Sequence, residues 1–511
     1  MRSRLAHAAY GVLATLLGVA AAHLVAALTD PASSPVLAVG STVIDLTPTP
    51  VKEWAVARFG TSDKPILIGS VFAGVLVLSA VAGMLARRRF LLGAGMLVGL
   101  VALAGAAALT RPTAGLSDVL PAVVAGVVGV AALHWLVRLD GSRDGRDHSP
   151  RPTTASPTRR AVLISAGVMT AAAVAMGVAG RQIARARGVV KDLTLPAAAE
   201  PATAFPEGLE ATYPGIAPLR TPNADFYRID TRLTLPVIDR DTWTLTIDGD
   251  VDQEVSLGFD DLLEMPLIER DITLTCVSNE VGGPYVGGTR WTGVRLTDLL
   301  DRAGIGSTGA DQILSTDVDG MTISTPLDLA TDGRDAMIAI AMDGQPLPRD
   351  HGYPARMVVP GLYGYVSACK WITRMTLTTY DEKTAYWTDR GWATEAPIKM
   401  MSRIDTPKPL ANVKAGKTFI GGVAWHQHRG LTGVQVRIDG GEWQDARLGA
   451  DVGNDYWRQW YVDWDAGSAG AGQHTLAVRA LDENGEPQSA ARATVFPDGA
   501  SGVQSIVVNV A

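Results

Sequence analysis

Apolar and polar positions are distributed very unevenly along the 511 residues. Five apolar runs stand out, roughly Leu5–Leu28, Pro65–Leu85, Phe90–Leu109, Val119–Val137 and Ala161–Gly180. Each approaches or exceeds the ~20 residues that carry a helix across a hydrocarbon core. None holds Asp, Glu, Lys or Arg in its interior, where a charge is costly in lipid. The pattern predicts five transmembrane helices within 1–190; a bundle of soluble core helices is the alternative. Residues 191–222 are rich in Pro and Ala and without period, as expected of a linker or a strap along a surface. From Asn223 the pattern turns to α+β. "TWTLTIDGDV" alternates like a strand with a turn at Asp248-Gly249, and "FDDLLEM" and "RLTDLLDRAGI" read as short helices, the second stopped by a glycine. "DAMIAIAMDGQPLP" and "ARMVVPG" continue the strands. Residues 408–511 alternate with period two between Asp-Gly and Asn-Gly turns, which predicts a β-sandwich of immunoglobulin type.

Charge assigns the sides of the helical part. Arg2 and Arg4, Arg87–Arg89, and the arginines from Arg138 to Arg160 fall on one side of an alternating five-span arrangement, which marks that side as cytoplasmic. Arg181, Arg185 and Arg187 point the other way but are outnumbered, so the chain beyond about 190 is expected outside the cytoplasm. Arg159–Arg160 stand directly before the fifth run, which resembles a twin-arginine export signal placed internally; ordinary cytoplasmic arginines are the alternative. His23 and His134 lie at opposite depths of their runs, unlike a bis-histidine haem pair, so anchoring is the expected role of the helices.

Net charge is −7, with no concentrated basic face for nucleic acid. Two cysteines are too few for a disulfide framework or a thiolate cluster. Cys276 ends a strand-like run, "RDITLT", and opens the polar glycine-rich loop "SNEVGGPYVGG". Four readings compete for it: an inert buried thiol, a disulfide with Cys369, a nucleophile activated by His351, and a metal ligand. A second loop, "RDHGYPARMVVPGLYGYVSACKW", gathers His351, Arg356, Ser367 and Lys370 among glycines. Two cations with bare backbone amides suit a phosphate or another oxyanion. That favours a cysteine-ligated metal inside an anionic cofactor. Five tryptophans of the last block (Trp425, Trp443, Trp457, Trp460, Trp464) are expected in a core or interface, with a ligand platform as the alternative.

"TPNADFYRID", "TLTCVSNEVGG" and "LPRDHGYPARMVVPGLYGYVSACKW" together resemble the three signature regions of the sulfite oxidase family of molybdopterin enzymes, which includes the catalytic subunit of the periplasmic methionine-sulfoxide reductase. The resemblance covers about residues 215–400 and continues into "GGVAWHQHRGLTGVQVRIDGGEW" and "VRALDENGEPQ", similar to the family's immunoglobulin-like domain, which mediates dimers in some members. It implies a molybdopterin-binding domain at 223–407 and a dimerisation-type domain at 408–511. It also implies a molybdenum–molybdopterin cofactor, with Cys276 as the only protein ligand of the metal. Asn223, Tyr227, Thr316, Asp317, His351 and Arg356 then contact the pterin, and Ser367, Ala368 and Lys370 hold its phosphate.

The implied chemistry is oxygen-atom transfer on a small oxyanion or sulfoxide, with Arg356 and also Arg290 steering the oxygen and Tyr363 or Tyr365 bonding at the metal. No haem-attachment motif is present, so electrons pass to or from a separate partner, a haem protein or a quinone-linked subunit. Where the animal and plant sulfite oxidases carry a basic pair after the ligand cysteine, this chain has "SNE". Glu280 is expected to repel a dianion such as sulfite. The loop before Lys370 is one residue longer than in those enzymes. The expected whole is a multi-pass cell-membrane protein with an extracytoplasmic catalytic domain that forms a homodimer through its last domain. A cofactor-free binding protein and a cysteine hydrolase using Cys276 and His351 are the rival readings.

Overall fold

A computed structural model of the protein describes residues 2–48, 51, 54–55, 58–59, 62–111, 114–141, 157–188 and 193–511. Contacts divide the chain into two units, 1–190 with 231–237, and 191–230 with 238–511.

The first unit is helical: α1 (Arg2–Leu28), α2 (Pro35–Leu46), α3 (Asp63–Ala86), α4 (Phe90–Leu109), α5 (Leu120–Gly141) and α6 (Pro157–Arg187). All but α2 are long and apolar enough to cross a membrane. The 12-residue α2 falls between the first two apolar runs, where the pattern predicts no spanning helix. Pro35 opens it after Ser34, and it is too short to span a bilayer. Helices approach through small residues. A Cβ on Gly11 would stand 2.0 Å from the Ser79 carbonyl oxygen, and one on Gly83 the same distance from that of His7. Small residues let two helix backbones approach this closely. Large apolar side chains face outward instead, among them Leu163, Ile164, Val168 and Val174 on α6. The basic loop 142–156, part of the orientation argument, lies outside the described residues.

The second unit holds two sheets and a sandwich. Strands β1 (Thr244–Gly249), β2 (Val255–Gly258), β3 (Leu267–Thr275), β4 (Val286–Arg295), β5 (Gln312–Asp317), β6 (Thr322–Pro326), β7 (Met337–Met342), β8 (Gln345–Pro346), β9 (Arg356–Val358) and β10 (Ile372–Thr378) form its first part. One sheet runs β2-β1-β10-β5-β6, with β1 and β10 parallel; the other runs β3-β4-β7-β8, with β9 against β7. The amphipathic helix Leu296–Ala303 buries Leu296, Leu299 and Leu300 and stops at Gly304, whose φ of 73° suits glycine. Residues 193–222, expected as linker or strap, lie on this core. Leu193, Leu195 and Phe205 pack against it, and the Ala199 and Glu269 amides bond the Leu267 and Glu200 carbonyls across to β3.

The sandwich pairs β11 (Met401–Thr406), β13 (Lys417–Trp425), β17 (Arg458–Asp465) and β16 (Arg447–Leu448) in one sheet. The other sheet orders β12 (Asn412–Val413), β19 (Gln504–Val510), β18 (Gly472–Leu481), β14 (Gly433–Ile438) and β15 (Gln444–Asp445). Ile420, Val436, Trp460, Leu476 and Val508 fill the space between them. β11 lies before the expected boundary at 407 and is nonetheless an edge strand of this sandwich. Nor do the two parts have separate cores. Trp425, Tyr456 and Trp457 sit in the larger cluster with Val277, Val286 and Cys369, and the Tyr456 hydroxyl and Trp457 indole N–H both donate to the Leu219 carbonyl at 2.9 and 2.7 Å. Trp443 lies between the Arg437 and Arg479 guanidinium groups.

Candidate active site

Antiparallel pairing places Thr275 opposite Val286, so the chain leaves β3 at Cys276 and returns at Tyr285. The Cys276 amide closes the loop by donating to the Tyr285 carbonyl at 3.0 Å. Within it the Asn279 amide donates to the Cys276 carbonyl, and the Tyr285 amide to Asn279 Oδ1 at 2.8 Å. A thiol at a strand end is thereby held at a fixed place while its sulfur stays half-buried. No disulfide joins Cys276 to Cys369. Burial pushes the Cys276 thiol up; the Ser278 amide, 3.4 Å from Sγ, and the charge of Lys370 pull the other way.

Four further segments bring side chains to this strand end. Phe226 and Tyr227 stack at 5.3 Å between ring centroids, and Tyr227 lies 6.4 Å from the Tyr285 ring. Burial first, then the neighbouring Cys276, raises the Tyr227 phenol well above its ordinary range. Asn223 anchors the same segment: its Nδ2 donates to the Met342 carbonyl at 3.0 Å, and its own carbonyl lies 3.1 Å from His351 Nε2. His351 is buried, which pushes it down to about 4 and leaves the imidazole neutral. Arg356, also buried, donates from Nη1 to the His351 carbonyl at 3.1 Å, and its guanidinium lies 5.0 Å over the Trp291 ring. Burial pushes it down to about 10. Gly352 has φ of 113° and packs between Arg356 and Lys370; a Cβ there would meet both at 3.0 and 3.2 Å. Lys370 Nζ bonds Asp230 Oδ2 at 2.9 Å and the Asp350 carbonyl at 3.3 Å, and burial pushes it down to about 8.

The remaining expected contacts are held by backbone. Asp317 accepts the Asp319 and Met321 amides at 2.8 and 3.0 Å, and the Thr316 carbonyl accepts the Thr373 hydroxyl at 3.3 Å. The Val318 amide donates to the Trp371 carbonyl, which sets this turn beside Lys370. Ser367 is buried with its hydroxyl donated to Leu362 at 2.9 Å, and Ala368 is buried beside it.

Several expectations are corrected. Arg290 donates from Nε and Nη2 to the two Asp271 carboxylate oxygens at 2.8 Å each, so its fork is turned to that carboxylate and not to an oxygen at the site. The Tyr365 hydroxyl donates to Ala393 at 2.7 Å, and that of Tyr363 faces Lys399 and Gly499. Glu280 is exposed to solvent, where water screens its charge, so it does not set the field inside the site. No hydrogen bond joins His351 to Cys276 among the described residues, and its Nε2 is taken up by Asn223, which leaves the hydrolase without its base. Cys369 is buried in the larger apolar cluster, with its Sγ donating to the Lys370 carbonyl at 3.9 Å.

Sequence reasoning missed Thr275, Asn279, Trp291, Arg228 and Asp230. The first two flank the cysteine, and the last two lie inside the quoted "TPNADFYRID", so a search of the motif neighbours for hydrogen-bonding types would have found four of the five. Asn223 Oδ1, Thr275 Oγ1, Asn279 Nδ2 and Arg356 Nε are buried with no hydrogen-bond partner. Orphaned buried polar atoms are costly; two of these stand on the Cys276 loop itself, and Arg356 and Cys276 both act on the buried Tyr227 phenol. Among the described residues no three His, Cys, Asp or Glu side chains form a metal set. A metal on Cys276 therefore takes its other ligands from a cofactor. A heterocycle that both donates and accepts, carrying a phosphate toward Lys370, fits this donor set.

Residues 232–387 match the family described as oxidoreductase molybdopterin binding domain. The chain is 34% identical over 272 residues to mitochondrial sulfite oxidase of Rattus norvegicus, covering 45% of this chain and 49% of that one. It is 33% identical over 321 residues to the enzyme of Homo sapiens, covering 53% and 58%. The chain thus spans about half the length of the curated relatives it matches. Its fold is similar to that of the sulfane dehydrogenase SoxCD from Paracoccus pantotrophus, with a TM-score of 0.50 and 24% identity over 57% of this chain and 83% of that one.

Proposed function

The chain carries a molybdopterin-binding oxidoreductase domain of the sulfite oxidase family, and from that premise we propose that it catalyses oxygen-atom transfer on a small oxyanion or sulfoxide with Cys276 as protein ligand of molybdenum. The observation that carries the reading is half-buried Cys276 beside Tyr227 and Lys370, with unpartnered buried atoms on its own loop (Thr275, Asn279) and on the Asn223 and Arg356 segments. When bound, the cofactor supplies the metal that exchanges an oxygen atom and two electrons with substrate.

The chain's own residues hold and shape that site. Burial raises the Cys276 thiol, so its sulfur would give up a proton in order to ligate a metal. Arg356 keeps its Nε for an oxygen inside the site, and the Trp291 face beneath fixes the guanidinium plane. Neutral His351 pins the Asn223 segment to the loop that bears Arg356. Lys370 would supply a cation for the cofactor phosphate, with Thr316, Asp317, Ser367 and Ala368 on the turns that would hold it, and Tyr227 stands beside Cys276. Glu280 leaves sulfite and sulfoxides both open as substrates.

The helical unit anchors the enzyme in the cell membrane, with the second unit outside the cytoplasm. Electrons pass through a separate haem or quinone-linked partner, and the sandwich, of immunoglobulin type, pairs two copies.

Metal analysis of protein made in a cofactor-competent host tests the core of this reading. Molybdenum near one atom per chain supports it, and none sinks it in favour of a binding protein. Turnover of sulfite against sulfoxides with artificial electron carriers then names the substrate and direction. A reporter joined at Ala511 should be active only outside the cytoplasm, and cytoplasmic activity overturns the orientation.

A further inference from the structure

A buried carboxylate joins two cations at the Lys370 end of the site. The Asp230 and Lys370 side chains are 6% and 11% exposed. Oδ2 of Asp230 accepts from Lys370 Nζ at 2.9 Å and from Arg228 Nε at 2.7 Å, while Oδ1 accepts Arg228 Nη2 at 3.2 Å. One oxygen atom thus bridges an ammonium and a guanidinium that would otherwise repel. Lys370 is fixed from two more sides, by the Asp350 carbonyl at 3.3 Å and by the Trp371 ring, 4.6 Å from Nζ. The Arg228 side chain remains about a third exposed, so its guanidinium keeps an open edge.

We propose that Asp230 is a positioning residue for cofactor binding, its carboxylate holding Lys370 and Arg228 side by side as one phosphate-reading pair. This rests on the molybdopterin reading above and extends it to two residues outside the expected contact set. The physical case is preorganisation. Two long cationic side chains held in place before a phosphate arrives lose little rotamer freedom on binding it. The bridge leaves the trio with net positive charge, so attraction for a phosphate survives. Burial penalises an unpaired ammonium, and the adjacent Asp230 charge opposes that penalty.

The test measures molybdenum and pterin per chain after extended dialysis of full-length protein, with circular dichroism as the check on folding. Asp230→Asn keeps the shape and removes the charge, and is expected to retain about tenfold less cofactor than the native protein. Asp230→Glu should restore part of the loss. In a Lys370→Met, Arg228→Met background, Asp230→Asn should remove little more, because its action runs through those two cations. Retention in Asp230→Asn equal to or above native overturns the proposal. So does an equal further loss in the background that lacks both cations, which would mark Asp230 as a general structural residue. Should Asp230→Asn not fold, the triple variant removes all three charges together, and its retention compared with the Lys370→Met, Arg228→Met protein decides the same point. Native protein without molybdenum or pterin defeats the functional reading itself; native protein that holds both while Asp230→Asn matches it defeats only this inference.

Discussion

Cys276 and Cys369 are the same chemical group in two different solvents. Around Cys276 the interior is polar and unfinished: Asn223, Thr275, Asn279 and Arg356 each keep a buried atom without a partner. Cys369 lies within the larger apolar cluster, its Sγ donating to the Lys370 carbonyl at 3.9 Å, and the neighbouring Ser367 hydroxyl is bonded to Leu362. A thiol among unspent donors and acceptors is placed for a ligand, whereas one among aliphatic side chains acts as a small hydrophobe.

The largest effect that would break this contrast comes from Cys276→Ser. Turnover should fall more than about a hundredfold with the fold retained; unchanged turnover on the native substrate would show that the sulfur does not hold the metal. Arg356→Met should follow. Losing a buried charged donor costs about 2 kcal/mol, or roughly thirtyfold in kcat/KM. A variant within twofold of native would mean that Nε addresses nothing in the reaction.

A third outcome concerns pH. Burial pushes Lys370 down to about 8, so its proton, and with it the attraction for a phosphate, is present below that value and lost as pH rises through it. Cofactor retained after dialysis should therefore be lower at about pH 9 than at about pH 7, and equal retention would remove Lys370 from the phosphate site. The smallest effect belongs to Cys369→Ser. Turnover should stay near native while stability drops by about 1 to 2 kcal/mol, the cost of a hydroxyl in an apolar wall, read by denaturant unfolding of the detergent-solubilised protein. A collapse of turnover there would place Cys369 in the site and end the comparison.

Legibility in the sequence followed how local each cause was. The five long helices were plain because an unbroken apolar run of some twenty residues has few other uses. The short α2 was not, since Pro35–Leu46 is too brief for that signal. Helix stops such as Gly304 and turns such as Asp343-Gly344, with φ of 56° and 70°, follow from adjacent residues alone. The sandwich boundary was misplaced by one strand because β11 is assigned by its partner β13, not by anything within Met401–Thr406.

The same division holds at the site. Amino-acid order by itself determined which residue types stand at the strand end, in the glycine loops and in the basic run that closes at Lys370, because those motifs are contiguous and their chemistry is carried by residue identity. Tertiary structure alone decided which of those groups are spent. Arg290 is consumed by Asp271 across the β3–β4 ladder, Tyr365 by Ala393, and His351 by Asn223, 128 residues away. Arg356 keeps an unpartnered nitrogen. Hydrogen bonds act over about 3 Å in space whatever their separation along the chain, so only folding reveals which donors remain to do chemistry.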